Sequence, residues 1–303
     1  MVGKKISTII PVFIQSTENL SELQMALDSL AQQTLKPDEV IISSNNSDLL
    51  LNHKMLKLTE IYPLNIVVHQ NLTGMNPQSN TNNGVAKAKN EIIHILHHDD
   101  LILENFAYSK IHEAFNNDIA KWGIFSGHKD SGSEVKTQPG LIWGFNSIGG
   151  PSVLISLRES YIPFSINYNF LWDCLNFHEY IEKYGPPLIF RELHIIPGLG
   201  KNRLSNSIDV SHRISDYRQL RKDGYATTKG LLRLLTYPRY WGNDLRVILK
   251  YAAGDKTWSL LFRVFFLISS RIVPTLRDIS FVFNKIIKMF SLRKNRGYSK
   301  IKN

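Results

Sequence analysis

Short apolar runs alternate with segments of helical periodicity through the first hundred residues. Runs rich in β-branched residues predict four strands, at Ile6–Val12, Val40–Ser43, Asn65–His69 and Ile92–His97. Apolar positions three or four residues apart predict helices between them, over Glu18–Gln33 and Asn80–Lys89. Strands that alternate with helices are typical of an α/β fold with a mostly parallel central sheet.

Polar residues follow each of the predicted strands. Ser43–Asp48 comes after the second strand, Asn71–Gly74 after the third and His97–Asp100 after the fourth. In open α/β sheets the ligand lies beyond the carboxyl ends of the strands, where the following loops converge. We therefore expect these three loops to share one edge of the sheet and to form a binding site there.

The pattern changes in the second half of the chain. After about Lys121 it indicates loops and short strands, followed by an amphipathic segment, Leu171–Tyr184. Residues 211–303 contain 20 Lys and Arg but 5 Asp and Glu, whereas residues 1–210 contain 16 and 21. We predict an α/β domain over 1–210 and a basic, aromatic-rich helical extension over 211–303.

Composition excludes several classes of protein. The formal charge of +10 lies in the extension and not in the α/β domain, so we expect no nucleic-acid partner. The single cysteine, Cys174, cannot form an internal disulfide, which fits a reducing compartment such as the cytoplasm. The N-terminus does not have the pattern of a signal peptide. Arg263 and Arg271 interrupt the most apolar stretch, so we expect no transmembrane helix.

Two adjacent carboxylates, Asp99 and Asp100, follow the fourth predicted strand. Like charges repel when they are buried together, so such a pair suits a divalent cation that a diphosphate also binds. The alternative is that the two acids cap a helix starting at Leu101, because Asp is a favoured N-cap residue. The metal interpretation requires both acids to be open to solvent on the edge that carries the Ser44 loop.

Six motifs occur in a fixed order before residue 101. They are Ile9-Ile-Pro-Val12; Gln33-x-Leu35 with Pro37-Asp-Glu-Val40; Ser44-Asn-Asn-Ser47; Asn71-x-x-Gly74; Asn82-Asn-Gly84 with Ala88-Lys-Asn-Glu91; and Leu96-His-His-Asp-Asp100. In this order and spacing they resemble the N-terminal half of family 2 glycosyltransferases, which have the GT-A fold, a Rossmann-type nucleotide-binding sandwich. The resemblance continues more weakly to about residue 206.

The resemblance implies a donor site and a metal site. Pro11 and Val12 would border the nucleotide base, Ser44 and Asn45 would hold the base and ribose, and Asn82 would belong to the same site. Asp100 would ligate Mn²⁺ or Mg²⁺ that bridges the two phosphates. Asp99 would face the donor sugar and ribose, and it would act both as a second metal ligand and as a catalytic residue. Charge building on the departing nucleoside diphosphate would then be neutralised.

The resemblance also implies an acceptor site and a general base. Asn146-x-x-Gly-Gly-Pro-Ser152 is similar to the segment that lines the acceptor side in the family. Trp172-Asp-Cys-Leu175 is similar to the family's catalytic-Asp segment, so Asp173 is the predicted base that takes the acceptor's proton, with Glu179 as the second choice. The alternative is that Asp173 only caps or decorates its helix.

Four positions depart from the family pattern. Ser44 stands where the family commonly has Asp, and His97 stands in place of a carboxylate, which leaves a site with two acids. Thr81 replaces a basic residue, and Gly200 stands where a metal-touching His is often found. His194 lies near this point, and we interpret it as a structural residue on a strand. His97 and His98 lack a sequence-local third ligand for a transition-metal site of their own.

The predicted function is metal-dependent, inverting transfer of a sugar from a nucleotide diphosphate donor, expected to be a UDP-sugar, to the hydroxyl of a glycan or a lipid-linked acceptor. Aromatic residues alternate with Lys and Arg from Lys229 to Lys288, which favours peripheral contact with an anionic membrane on its cytoplasmic face. A helical subdomain packed on the domain is the alternative. Two other functions stay open: a nucleotidyltransferase of related fold, and a catalytically silent partner in polysaccharide assembly.

Overall fold

The fold is built around one eight-stranded sheet. The computed structural model describes residues 3–45, 48–71, 76–126, 146, 148–198 and 210–225. Within them the strands are β1 (Ile6–Val12), β2 (Glu39–Ser44), β3 (Ile66–Gln70), β4 (Ile92–Ile95), β5 (Leu101–Ile102), β6 (Trp122–Ser126), β7 (Leu154–Leu157) and β8 (Leu188–Ile196). The α-helices are α1 (Thr17–Ala31), α2 (Leu49–Glu60), α3 (Pro77–Lys87), α4 (Ala107–Asn116), α5 (Trp172–Tyr184) and α6 (Val210–Lys222).

The strand order is β3-β2-β1-β4-β7-β6-β8-β5. Strands β3, β2, β1 and β4 pair in parallel, and so do β6 and β8. The pairs β4–β7, β7–β6 and β8–β5 are antiparallel. The sheet is therefore mixed but mostly parallel, which confirms the predicted fold class.

The centre of the sheet is buried on both faces. Every residue of β1, β2 and β4 is buried, as is typical of parallel strands covered by helices. Helix α3 lies close to the sheet, since a Cβ at Gly84 would come within 2.5 Å of Cγ2 of Ile9. At the start of α3, Asn80 donates to the carbonyl oxygen of Val12 (3.0 Å) and accepts from the hydroxyl of Ser43 (2.7 Å). These bonds tie the carboxyl ends of β1 and β2 together.

The chain after Asp100 differs from the prediction. Leu101 and Ile102 form β5, which pairs with β8, and the next helix begins only at Ala107. The predicted helix start at Leu101 is therefore wrong, because a strand pairing with a segment 94 residues away overrides the local pattern. It follows that Asp99 and Asp100 do not cap a helix there.

The other predicted elements are shifted at their ends. The helices expected over Glu18–Gln33 and Asn80–Lys89 lie at Thr17–Ala31 and Pro77–Lys87, and Ile92–His97 is a strand only to Ile95. Helix α2 was not predicted from the sequence, and Met55 is its single buried residue.

The predicted extension is described only at its beginning. Helix α6 begins at Val210, whereas residues 226–303, which include most of the basic and aromatic segment, lie outside the described residues. Among the helices that are described, none has both the length and the apolar character needed to cross a bilayer.

Candidate active site

The carboxyl ends of β2, β3 and β4, after which three polar loops were predicted to share an edge, lie with that of β1 at one edge of the sheet, because these four strands are parallel. The backbone N–H of Asn45 donates to the carbonyl oxygen of Val12 (3.3 Å), and that of Asn71 donates to the carbonyl oxygen of Ser44 (2.7 Å). Residues 46, 47 and 72–75 of these loops lie outside the described residues. The ends of three neighbouring strands therefore meet where the nucleotide was expected.

The residues predicted to bind the nucleotide-sugar donor differ in the exposure and the hydrogen bonding of their side chains. Pro11, Val12 and Ser44 are buried, so they form the floor of this edge rather than an open surface. Asn45 is also buried, and its Oδ1 has no hydrogen-bond partner. Phe13, which the sequence analysis did not select, is 43% exposed directly after β1. The edge thus offers one unused acceptor and one exposed aromatic ring.

Asn82 is engaged within the protein. Its amide nitrogen donates to the carbonyl oxygen of Phe164 (2.8 Å), and its Oδ1 accepts from the Phe164 N–H (2.9 Å) and from the Tyr161 hydroxyl (2.9 Å). These three bonds hold the segment after β7 against α3. Neighbouring Thr81 is buried and bonds to its own helix, at the carbonyl oxygen of Pro77.

Three side chains that could bind a metal ion lie close together after β4. A ring nitrogen of His97 and one carboxylate oxygen each of Asp99 and Asp100 all lie within 4.8 Å of one another. The Nε2 atom of His97 is buried and has no hydrogen-bond partner. Trp172 stacks on the imidazole with the ring centroids 6.4 Å apart, which orients the ring. Two carboxylates and an imidazole with an unused nitrogen fit a divalent cation. The sequence predicts a site with two acids alone, so His97 is a third candidate ligand that the sequence did not indicate.

The carboxylate of Asp100 is held from both sides. It is 9% exposed and therefore buried, so the expectation that both acids are open to solvent is wrong for Asp100, whereas Asp99 is partly exposed. Its Oδ2 accepts from the Ser152 hydroxyl, and its Oδ1 accepts from the Gly198 N–H (3.1 Å). Burial and then the Asp99 charge raise the pKa of Asp100, while His97 and these two hydrogen bonds lower it. A bound cation would offset the cost of placing this negative charge in an enclosed site.

The two adjacent histidines face different partners. His98 lies 3.8 Å from Glu22 of α1, and its pKa is lowered because burial disfavours the charged ring. Glu22 also accepts from the side chain of Asn19 (2.9 Å). His98 therefore belongs to the contact between α1 and the loop after β4, and His97 alone joins the acids.

Gly198 lies against the acid pair and was not selected from the sequence. A Cβ at this position would come within 2.7 Å of the Cβ of Asp99 and would collide with the backbone carbonyl of Asp99. Pro197-Gly198 indicated only a turn after β8, because nothing in the local pattern shows that β8 returns to the acids. The antiparallel pairing of β5 with β8 brings it there.

Gly198→Ala is expected to weaken Mn²⁺ binding about 10-fold, because a change in a residue that orients a metal ligand typically lowers the metal affinity by that much or more. Isothermal titration calorimetry with Mn²⁺ alone measures the effect. Gly150→Ala is the matched control, because nothing lies within 4 Å of a Cβ built at Gly150. Equal Mn²⁺ affinity in both variants would mean that the close approach does not order the acids.

Asp173 follows a residue that contacts this group. It is in the first turn of α5, directly after Trp172, whose indole stacks on His97. Its Oδ2 accepts from the side chain of Asn146 (2.9 Å), and its Oδ1 accepts from the N–H of Cys174 (2.7 Å). Burial raises the pKa of Asp173 to about 6, and the hydrogen bonds oppose that shift only in part. A carboxylate with this pKa is ionised at neutral pH and is a better proton acceptor than an ordinary aspartate.

The second candidate base, Glu179, is half-buried, and burial raises its pKa. It lies six residues after Asp173 on the same helix, about 9 Å along the axis and on another side of it. The contacts of α5 with His97 and Asn146 are made by Trp172 and Asp173. The geometry therefore favours Asp173.

A carboxylate from α6 fixes the start of α5. Leu171, the residue before the helix, provides no side-chain cap. Instead the buried carboxylate of Asp216 accepts from the backbone N–H groups of Asn169 (2.9 Å), Phe170 (2.6 Å) and Leu171 (2.8 Å). The sequence signal for this role was an isolated acid in a basic segment, which by itself does not reveal its partner.

Asp216→Asn is expected to lower the free energy of unfolding by about 3 kcal/mol, since buried donors that lose their acceptor cost about 1–3 kcal/mol each. Urea denaturation followed by circular dichroism measures this loss. Asp118→Asn makes the same change at an exposed acid whose bond to Lys4 is screened by solvent, so we expect a much smaller loss there. Similar losses in the two variants would contradict the capping role.

Two further predictions concern the end of β8. His194 lies on this strand, where Glu104 accepts from its backbone N–H (2.7 Å) and contacts its Nδ1 (2.8 Å). The prediction of a structural histidine is therefore confirmed. Gly200 and the segment 202–206 lie outside the described residues.

Solved structures with similar folds include two complexes with nucleotide sugars. One is S. aureus TarS 1-349 in complex with UDP-GlcNAc, with a TM-score of 0.57, 15% identity, and coverage of 75% of this chain and 66% of that one. The other is the mannosyltransferase PcManGT from Pyrobaculum calidifontis in complex with GDP-Man and Mn²⁺, with a TM-score of 0.54, 13% identity, and coverage of 98% and 88%. The chain spans 46% of a longer TarS structure, at a TM-score of 0.55 and 14% identity.

At these identities the structures establish the fold, which is GT-A-like. No curated protein sequence matches the chain. The family profile described as glycosyl transferase family 2 matches residues 7–171, more than half of the sequence. This match covers the strand ends, the acid pair and the segment up to the start of α5, and the chain therefore belongs to glycosyl transferase family 2.

Proposed function

We propose that this protein transfers a sugar from a nucleotide diphosphate donor to an acceptor hydroxyl with inversion at the anomeric carbon. The observation that carries the proposal is the grouping of His97, Asp99 and Asp100 at the carboxyl edge of the sheet in a family 2 domain. Asp173 follows Trp172, whose indole stacks on His97, and we propose that it is the base of the same site.

The cation would be Mn²⁺ or Mg²⁺, held by Asp100, Asp99 and His97. When bound, it would neutralise negative charge on the diphosphate leaving group, an effect that is often the largest in such catalysis. Asp100 is proposed as the main ligand because two hydrogen bonds fix its carboxylate. Asp99 is partly exposed beside it and is proposed to face the donor sugar and ribose.

The nucleotide is proposed to lie over the ends of β1 and β2. There Phe13 offers an exposed ring face on which a base can stack, and Oδ1 of Asn45 offers a buried acceptor without a partner. Val12 and Ser44 form the floor. Similar folds solved with UDP-GlcNAc and with GDP-Man and Mn²⁺ support a nucleotide-sugar donor. We propose a UDP-sugar, with Asn82 acting by holding the neighbouring segment.

The proposed reaction is a direct displacement. The acceptor oxygen attacks the anomeric carbon while the bond from that carbon to the diphosphate oxygen breaks. The proton of the acceptor hydroxyl passes to the carboxylate of Asp173, and the electron pair of the broken bond leaves with the nucleoside diphosphate. Asn146 holds one oxygen of Asp173 by a hydrogen bond, which keeps the base oriented.

The acceptor is proposed to be a glycan or a lipid-linked sugar. The support is the charge distribution, since 20 Lys and Arg but 5 Asp and Glu occur in residues 211–303. Basic residues near an anionic bilayer contribute about 1 kcal/mol each. We therefore propose peripheral attachment to the cytoplasmic face of a membrane, with residues 1–210 as the catalytic domain.

An imidazole ligand changes the expected metal preference. Carboxylates suit Mg²⁺, whereas imidazole favours transition metals. His97→Asp is therefore expected to reduce the ratio of Mg²⁺ to Mn²⁺ dissociation constants by about 10-fold, measured by displacing Mn²⁺ with Mg²⁺ in electron paramagnetic resonance titrations. His98→Asp is the neighbouring control, because His98 faces Glu22. An unchanged ratio in His97→Asp would remove His97 from the ligand set.

A direct test compares the three candidate functions. Purified protein is incubated with UDP-, GDP- and dTDP-sugars, or with nucleoside triphosphates and sugar phosphates, each with Mn²⁺ or with chelator. Release of nucleoside diphosphate that requires Mn²⁺ supports the proposal, whereas release of pyrophosphate supports a nucleotidyltransferase. If no nucleotide with Mn²⁺ shifts the thermal melting midpoint, the silent-partner alternative is favoured, because ligand binding stabilises a native protein.

A further inference from the structure

A series of buried hydrogen bonds runs from Thr8 to the backbone of Ser152, a residue whose side chain bonds Asp100. Oγ1 of Thr8 on β1 lies 2.6 Å from the Tyr108 hydroxyl, which lies 2.8 Å from Nδ1 of His94 on β4. Nε2 of His94 lies 3.0 Å from the carbonyl oxygen of Ser152. Thr8, His94, Tyr108 and Ser152 are each at most 1% exposed. The hydroxyl of Ser152 then contacts Asp100.

The direction of the hydrogen bonds from Thr8 to Ser152 follows from the acceptor at the end of the series, the carbonyl oxygen of Ser152. A carbonyl oxygen only accepts, so Nε2 of His94 must carry the proton and donate to Ser152. In a neutral imidazole the other nitrogen then accepts, and the Tyr108 hydroxyl donates to it. Thr8 therefore donates to the oxygen of Tyr108. Burial lowers the pKa of His94 to about 4, so the ring stays neutral at physiological pH and this pattern is kept.

The contacts of the Ser152 side chain are also directed. The backbone N–H of His97 donates to Oγ of Ser152 (2.9 Å), so the hydroxyl proton is available for Oδ2 of Asp100. Gly198 donates to Oδ1. Each carboxylate oxygen thus accepts one hydrogen bond from the protein and keeps a further lone pair for another ligand. His97 and Asp100, both candidate ligands, are joined through the same hydroxyl.

We propose that Ser152 and His94 are positioning residues that hold the Asp100 carboxylate in the orientation needed for cation binding. An apolar core of similar shape would be about as stable as these buried polar groups, so stability alone gives little reason for the series to lead to Asp100. His94 acts on the backbone of Ser152, in the 3-10 turn Pro151–Val153. This inference rests on the proposed function, because it assumes that Asp100 binds a metal.

The test measures Mn²⁺ dissociation constants by electron paramagnetic resonance, without donor or acceptor. Ser152→Ala is expected to raise the constant by about 10- to 100-fold, the usual effect of removing a group that orients a metal ligand. Ser156→Ala is the matched control, because it removes an equally buried hydroxyl four residues along, on β7. Its Mn²⁺ affinity is expected to stay within about twofold of wild type.

The role of His94 is tested by rescue. His94→Phe fills the space but cannot donate to Ser152, and we expect about a 10-fold weaker affinity for Mn²⁺. His94→Gln places an amide N–H where Nε2 lies, so it is expected to recover most of the affinity. Melting midpoints measured on the same samples separate this role from a loss of stability, which both substitutions are expected to cause.

Three results would each be decisive. Wild-type affinity in folded Ser152→Ala overturns the inference, and so does an equal loss in Ser156→Ala. Lower melting midpoints in the His94 variants with an unchanged dissociation constant would assign His94 to stability alone and also overturn its positioning role. If wild-type protein binds no Mn²⁺, the proposed metal-dependent function itself falls, and this inference with it.

Discussion

Asp100→Asn is expected to lower kcat/KM for sugar transfer about 1,000-fold, because the loss of one preorganised electrostatic contact to developing charge costs about 100- to 1,000-fold and the metal is weakened as well. The neutral amide keeps the size of the carboxylate but not its charge. It also faces two donors, the Ser152 hydroxyl and the Gly198 N–H, and its own NH₂ group cannot accept from either. Initial rates at saturating Mn²⁺ and varied donor measure the effect.

The matched control for this prediction is Asp118→Asn. Asp118 bonds Lys4 at the opposite edge of the sheet, before β6 and before β1, and both side chains of this pair are solvent-accessible. Solvent screens such an exposed pair, so it contributes little to stability, and activity is expected to be unchanged. Turnover of Asp100→Asn at the wild-type rate, with or without chelator, would refute the metal assignment.

Asp173→Asn is expected to lower kcat by about 100- to 10,000-fold with little change in donor affinity, because a positioned general base contributes about that much. Asn146 also keeps a hydrogen-bond acceptor in the variant, so the local geometry is preserved. Glu179→Gln is the control on the same helix, and its kcat is expected to stay within about threefold of wild type. If the two effects are reversed, Glu179 is the base.

The pH profile gives an independent readout of the same residue. A base works only when ionised, and the pKa of Asp173 is raised to about 6 by burial. The wild-type rate is therefore expected to rise with pH below about 6 and to level off above it, and Asp173→Asn is expected to lose this limb. A wild-type rate that is flat between pH 5 and 7 (roughly one unit either side of that pKa) would contradict the assignment.

The same pKa shift predicts a cost in stability. A carboxyl whose pKa is higher in the folded than in the unfolded protein contributes stability while it is protonated, and that contribution is lost as the pH rises through about 6. At pH 8 Asp173 is ionised in an enclosed site. Asp173→Asn is therefore expected to melt at the same temperature as wild type or higher at pH 8. Lower activity would then not reflect unfolding.

Local chemistry determined much of the architecture. Apolar runs in alternation with helical segments predicted β1 to β4 together with α1 and α3, because burial on both faces leaves a continuous apolar signature. The polar residues after these strands predicted the shared edge, since parallel strands place their carboxyl ends together. Asp99, Asp100 and Asp173 were found from residue type, order and resemblance.

Other elements and residues could not be identified from the sequence. Helix α2, which buries only Met55, was not predicted, and β5 is two residues long and forms by pairing with β8. Leu101 therefore resembled a helix start. The roles of Gly198 and Asp216 depend on partners that lie about 98 and 46 residues away in the chain. Sequence spacing carries no information about such contacts.

The sequence by itself thus determined the fold class, the edge at which the site lies and the acids that carry the proposed chemistry. Only the tertiary structure decided that His97 rather than His98 faces those acids, that Ser152 and Gly198 hold Asp100, and that Asp216 fixes the start of the helix bearing Asp173. The physical reason is the separation along the chain of the residues that interact. Periodicity and strand ends are local properties of the chain, whereas the orientation of a ligand is set by hydrogen bonds from segments that only folding brings together.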